Sequence, residues 1–172
     1  FAPVQMRSGD FTATASGFVE LQRRLQVKVA VRRRSNDDAL KIRIAGPWAA
    51  PTWHVAGRFS PRPTSTLQGP VSLEGDGTAV LDPSDQRRLV IRNLGLQAPG
   101  LRLAVAGELG QRTELRSTDF LMLPAFWKQV PSLQAVLGSA APVEGELAIN
   151  GSVSSPALQL NLAQAKNPLL DR

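Results

Sequence analysis

Apolar and polar residues alternate one by one along most of the chain. Leu25, Val27, Val29 and Val31 are interleaved with Gln26, Lys28, Ala30 and Arg32. After a polar turn at Ser35, Asn36, Asp37 and Asp38, residues Leu40, Ile42 and Ile44 are interleaved with Lys41 and Arg43. Trp53, Val55 and Phe59 continue the pattern, with Thr52, His54 and Arg58 between them and Gly57 on the apolar side. It returns at Val71/Leu73, at Leu89/Ile91, at Leu101/Leu103/Val105/Leu109, at Leu147/Ile149 and at Leu158/Leu160/Leu162. Successive side chains of a strand point to opposite faces, so each run predicts a half-buried strand. One aliphatic face and one wet face predict antiparallel hairpins, not a sheet covered on both sides.

Turn signals recur at short intervals: Gly46-Pro47, Gly75-Asp76-Gly77, Asp82-Pro83-Ser84-Asp85, Ala98-Pro99-Gly100, and Gly151 to Pro156. This is the rhythm of an all-β meander, without the spacing of βαβ units. Ser60 to Thr66 reads as an extended, proline-containing connector. One segment departs from the two-residue period. From Pro124 onward, Phe126, Trp127, Val130, Leu133, Val136 and Leu137 fall at helical spacing, with Gly138 as a stop. Pro131 lies inside that pattern and predicts a kinked helix or two short ones. Such an insertion over 124–138 plugs one end of the β core, acts as a cap or gate on a hydrophobic cavity, or forms a surface that touches membrane.

An internal repeat is also present. Lys41-Ile42-Arg43-Ile44-Ala45-Gly46 aligns with Glu146-Leu147-Ala148-Ile149-Asn150-Gly151, and each has a proline five residues past the glycine, Pro51 and Pro156. Trp53 and Val55 then match Leu158 and Leu160. The unit is strand, glycine turn, proline, strand. A weaker echo without the proline ends at Gly107. Such repetition predicts a sheet that grows by adding similar hairpins, with residues 1–172 forming one β segment of a longer repeat-like protein. The first residue, Phe1, is not an initiator Met, which fits an excised segment.

The segments IRIAGPWAAPTWHV (Ile42 to Val55) and LAINGSVSSPALQLNL (Leu147 to Leu162) resemble the strand–Gly–x4–Pro–strand units of the AsmA-like superfamily. Within it they are similar to the TamB family of translocation and assembly module subunits. LQGPVSLEGDGTAVLD (Leu67 to Asp82) has the same character, and the stretch from Leu123 to Val153 resembles that family's short helical insertion before a G-x-L-x-I-x-G strand. The resemblance implies an open, U-shaped hydrophobic groove (a β-taco) made of a curved, antiparallel-rich sheet. It implies a non-catalytic module of the cell envelope that shields lipid acyl chains during inter-membrane phospholipid transport and outer-membrane biogenesis. The parent protein would lie in the periplasm, anchored in the inner membrane, with an outer-membrane barrel protein as a partner and a link to protein secretion. Membrane contact would come from other parts of that parent.

Alternation alone is also met by a β-sandwich or barrel whose aliphatic faces pack on each other. The repeat and the resemblance favour the groove. A face of Leu, Val and Ile suits acyl chains, since each buried CH2 gains roughly 0.8 kcal/mol without directional contacts. The expected lining is the alternating apolar set named above, apart from Phe59, Val71, Leu73 and Leu109. A second expectation is a structural module whose open edge pairs with strands of outer-membrane protein clients.

Composition narrows the chemistry. The chain has no Cys and one His, which excludes a thiol nucleophile, Cys-ligated metals and multi-His zinc sites. No cofactor and no enzymatic activity are expected. The net charge of +6 and the runs Arg23-Arg24, Arg32-Arg33-Arg34 and Arg87-Arg88 raise three readings: a solvated strand face, attraction to anionic lipid head groups, and nucleic-acid binding. With aromatics at 5% there is little for base stacking, so no nucleic acid is expected as a partner. His54 falls on the polar side of its strand, and Glu144 and Glu146 share one strand face, which is commonplace on exposed strands. Asn150-Gly151-Ser152 formally fits a glycosylation acceptor but sits in the repeat's turn.

Overall fold

The computed structural model describes residues 2–20, 24–33, 38–60, 69–81, 87–129, 135, 142–152 and 155–164. They form one antiparallel sheet of eleven strands whose spatial order is the chain order. The strands are β1 (Val4–Ser8), β2 (Phe11–Glu20), β3 (Arg24–Arg33), β4 (Ala39–Pro47), β5 (Thr52–Phe59) and β6 (Val71–Leu81). They continue as β7 (Arg87–Ala98), β8 (Leu101–Leu109), β9 (Arg112–Met122), β10 (Val143–Ser152) and β11 (Ser155–Gln164), with a single helical turn, α1 (Pro124–Trp127), before β10. The all-β, antiparallel expectation holds, and among the described residues the sheet stays open, with β1 and β11 at its two ends.

Among the described strands, contact is substantial only between sheet neighbours, so no strand packs face to face on another. The accessible surface of 11906 Å² is about 1.4 times the roughly 8,200 Å² expected of a compact monomer of 18.5 kDa.

Two bulges interrupt the ladders of the sheet. In β7 the ladder shifts between Ile91 and Leu94, and in β9 the pairing with β8 shifts between Ala104/Asp119 and Val105/Ser117. An extra residue on one strand restores the apolar face after a three-residue step and increases local twist. The turn expected at Gly75-Asp76-Gly77 is absent: all three lie inside β6, paired with β5 and β7. Glycine is needed there for close approach. A Cβ on Gly77 would meet the Trp53 ring at 2.7 Å and collide with the Val90 carbonyl, and one on Gly75 would meet Leu94 Cδ1 at 2.6 Å.

α1 begins with Pro124 at its first position, where the missing N–H costs nothing. The Pro99-Gly100 turn seats it: the Gly100 carbonyl accepts from Leu123 N at 2.7 Å, and a Cβ on Gly100 (φ 79°) would press on Phe126 N. Trp127, 1% exposed, packs on Met122 and Val143 with Leu101, Phe120 and Phe126 around it. The described helix is thus one turn that covers an end of β8–β10. Of the rest of the expected 124–138 insertion only residues 128, 129 and 135 are among those described, and the 61–66 connector and the 82–85 turn lie outside them.

Candidate functional site

Strand registers show how the apolar residues line up across the sheet. One row runs Gly17, Val27, Ile44, Trp53, Gly77, Ile91, Gly107, Leu115, Ile149, Leu158, from β2 to β11. A second begins at Val4 and runs Ala15, Val29, Ile42, Val55, Gly75, Leu94, Val105 to Ser117, whose hydroxyl accepts from Leu147 N, and Leu147 pairs Leu160. A third runs Met6, Ala13, Val31, Leu40, Gly57, Leu73, Leu96, Leu103, Phe120, with Gly145 and Leu162 beyond it. Leu25 lies one row to one side, opposite Val19 and Gly46, as Leu89 does opposite Ala79 and Leu109. Leu101, between Ala98 and Met122, lies one row to the other. Every residue expected to line the groove therefore falls on one face.

That face is bare over much of its extent. Val27, Val29, Val31, Leu40, Ile42, Ile44, Trp53 and Val55 are all half-buried, and Leu158 is 66% exposed at the β11 edge. The glycines in the rows are overlain by larger neighbours, which a Cβ at each would meet: Trp53 at Gly77, Leu94 at Gly75, Leu40 and Phe59 at Gly57, Leu162 and Phe120 at Gly145. Large side chains leaning over glycine level the surface and shield backbone from water. The Trp53 indole N–H is buried there without a hydrogen-bond partner.

Several residues of this face escaped the sequence reading. Leu94, Leu96, Phe120 and Met122 follow the bulges, where strict alternation points to the wrong side, and Leu115 precedes the β9 bulge as a lone large aliphatic between Glu114 and Arg116. The three-residue step from Ile91 to Leu94 across polar Arg92-Asn93 was the available signal. In β2 the inward residues are Ala13, Ala15 and Gly17, too small to register as a hydrophobic pattern.

The opposite face is charged. Lys28, Arg43, His54 and Asp76 form one cross-strand row, with Arg92 bonded to Asp76 at 2.7 Å. Lys41, Arg58 and Arg32 are exposed on the same side of β3–β5. Over β7–β9 the charges pair, Arg88 with Glu108 at 3.2 Å and Arg102 with Asp119. Arg33 differs from its neighbours in the basic run. It lies on the apolar side opposite Phe11, where Nε binds Asp10 at 2.8 Å and Nη1 reaches Asp38 at 3.5 Å. Asp38, 5% exposed, also accepts from Ser60 N at 2.6 Å. Arg34 lies outside the described residues.

Glu144 and Glu146 are exposed on the polar face of β10 and His54 on that of β5, and no group of three or more His, Cys, Asp or Glu able to hold a metal occurs among the described residues. Nor is any described helix long and apolar enough to cross a membrane. Compared with known proteins, the chain matches no protein-family model, no curated protein and no solved structure.

Proposed function

We propose that the apolar face is a lane for lipid acyl chains and that the protein is a non-catalytic, AsmA-like and TamB-like module of the cell envelope. The observation that carries this reading is the set of apolar rows crossing the sheet without a covering strand. Ten strand intervals at about 4.8 Å give a lane about 48 Å across the sheet. Soluble monomers rarely expose contiguous apolar patches beyond a few hundred Å². An uncovered face of this extent calls for an occupant.

An acyl chain fits the chemistry. The lane offers aliphatic surface and almost no side-chain hydrogen bonding, so it would hold tails of many kinds and let them slide. Each CH2 withdrawn from water contributes roughly 0.8 kcal/mol wherever it sits along the rows. Head groups would stay in water at the open seam, and the exposed cations Lys28, Arg32, Lys41, Arg43 and Arg58 of β3–β5 supply long-range attraction to anionic ones. The open sheet would offer this face as a continuous carrier surface for inter-membrane phospholipid transport.

The test is transfer of a fluorescent phospholipid between donor and acceptor vesicles, together with mass spectrometry of lipid extracted from the purified protein. Ile149→Arg puts a charge into the central row at a half-buried site, and Ile42→Arg does so in the second row. Both variants should keep their β-sheet circular dichroism and lose most of the transfer. A folded Ile149→Arg protein with undiminished transfer would refute the lane.

A further inference from the structure

Charge is spread unevenly over the polar face of the sheet. Over β7–β10 arginines and carboxylates are mixed and pair, Arg88 with Glu108 at 3.2 Å and Arg102 with Asp119. Over β3–β5 only one sign is present. Lys28, Arg32, Lys41, Arg43 and Arg58 are exposed there, and the three strands contain no Asp or Glu. None of the five cations forms an ion pair among the described residues. Asp76, on the neighbouring β6, is taken by Arg92 at 2.7 Å.

The register makes this arrangement unfavourable for the fold itself. Lys28 lies directly opposite Arg43, and like charges facing each other across a ladder destabilise it. The other cross-strand neighbours are small: Lys41 lies between Ala30 and Ala56, and Ala39 lies between Arg32 and Arg58. With strands about 4.8 Å apart and residues about 3.4 Å apart along each, the five cations fill an area about 10 by 14 Å. Lysine on a strand often guards an unpaired sheet edge. That reason is missing here, because β3–β5 are interior strands flanked by β2 and β6.

We infer that the polar face of β3–β5 is a docking surface for an anionic lipid bilayer. The array is two-dimensional, as the charges of a bilayer surface are. A nucleic acid carries its phosphates along a line and offers bases to stack, and Trp53 and Phe59 both lie on the other side of β5. Between small alanines the long Lys and Arg side chains stand clear of the backbone and can follow mobile head groups. Each cation held near an anionic membrane strengthens binding about fivefold, and salt screens the attraction. The two faces of a sheet are opposite, so docking leaves the apolar face uncovered. The inference goes beyond the acyl-chain reading and stands whether or not that face carries lipid.

Vesicle flotation tests it, with phosphatidylcholine alone against phosphatidylcholine containing about 30% phosphatidylglycerol. The natural chain should float with the anionic vesicles in about 50 mM salt and be released in about 0.5 M. Lys28→Gln with Arg43→Gln should weaken partitioning about 25-fold. Its thermal midpoint should hold or rise, since an opposed pair of like charges is gone. Arg88→Gln with Arg102→Gln removes the same net charge from the paired region and should weaken partitioning less than about threefold. Lys28→Arg with Arg43→Lys keeps the charges and should bind like the natural chain. Four results would each overturn the inference: no flotation, equal flotation with phosphatidylcholine alone, equal losses from the two glutamine variants, or tighter binding to a single-stranded oligonucleotide than to anionic vesicles at the same salt. Lipid extracted from the purified protein reports on the apolar face and flotation on the charged one, so either reading can fail alone.

Discussion

Two regions of the same sheet meet water differently. Over β7–β10 the apolar face reaches core-like burial: Ile91, Val105, Leu115, Met122 and Val143 are at most 9% exposed, as is Trp127 of α1. Over β3–β5 the same face, with equally aliphatic residues in the same rows, has no described residue below half-burial except Pro51 and Asp38 at the strand ends. Part of the difference is cover. α1 lays Trp127 across Met122 and Val143, whereas over β3–β5 no described strand or helix lies on the face. The lesson is that the sheet carries its own folding core in one region and leaves the rest of a continuous apolar surface available. A fold stabilised throughout by ligand would have no reason for this asymmetry.

The largest expected effect is at the covered end. Trp127→Ala removes the most buried large side chain and should cost about 3–5 kcal/mol, a fall of roughly 10 °C in thermal midpoint for a chain of this size. Leu158→Ala on the bare edge should change stability by less than about 0.5 kcal/mol in the same denaturant titration. Equal losses at both sites would abolish the contrast.

A second test separates glycines that the apolar face requires from those it does not. Gly77→Ala drives a methyl into the Val90 carbonyl and the Trp53 ring, and since backbone cannot yield cheaply, a loss of about 2–4 kcal/mol is expected. In Gly95 a Cβ would meet nothing nearer than the Glu74 carbonyl at 3.7 Å. Gly95→Ala should be neutral or stabilise by about 0.4–1 kcal/mol, because it restricts only the unfolded chain. Opposite signs by urea unfolding would tie the glycines to the levelled lane.

The end of the sheet that α1 covers with hydrophobic side chains over β8–β10 is closed over β2–β5 by a polar cluster. Asp38→Ala leaves the Ser60 N–H and part of the Arg33 guanidinium without their acceptor, at a cost of about 1–3 kcal/mol in the same titration. That cluster explains why the basic run is not uniform: Arg32 faces solvent while Arg33 is held by Asp10 and Asp38. Nothing in the sequence distinguished them except parity, since Arg33 continues the series Val27, Val29, Val31. Where large aliphatics alternate strictly, as in β3, β4 and β11, strands and facing residues were legible. Legibility failed where the face is made of Ala and Gly (β2), where a bulge reverses parity (β7, β9), and at Gly75 and Gly77, whose composition mimics a turn. In each case the missing information is tertiary, the side chain of a neighbouring strand filling space that the local residue leaves.

The smallest effect concerns the charged side. Arg102 and Asp119 form a two-pronged pair across β8 and β9, with side chains 55% and 39% exposed. Exposed pairs lose most of their Coulomb attraction to water and to the entropy of holding long side chains, so a double-mutant cycle of Arg102→Met and Asp119→Ala should give a coupling below about 1 kcal/mol. In about 1 M salt, where screening acts within roughly 3 Å, that coupling should fall towards zero. A coupling above about 2 kcal/mol that survives salt would mean the polar face helps hold the sheet together, and stability would no longer rest on the covered apolar end. With a small and screened value, the charged side serves to keep one surface of an uncovered sheet in water. The difference in stability between β3–β5 and β7–β10 then lies wholly on the apolar face.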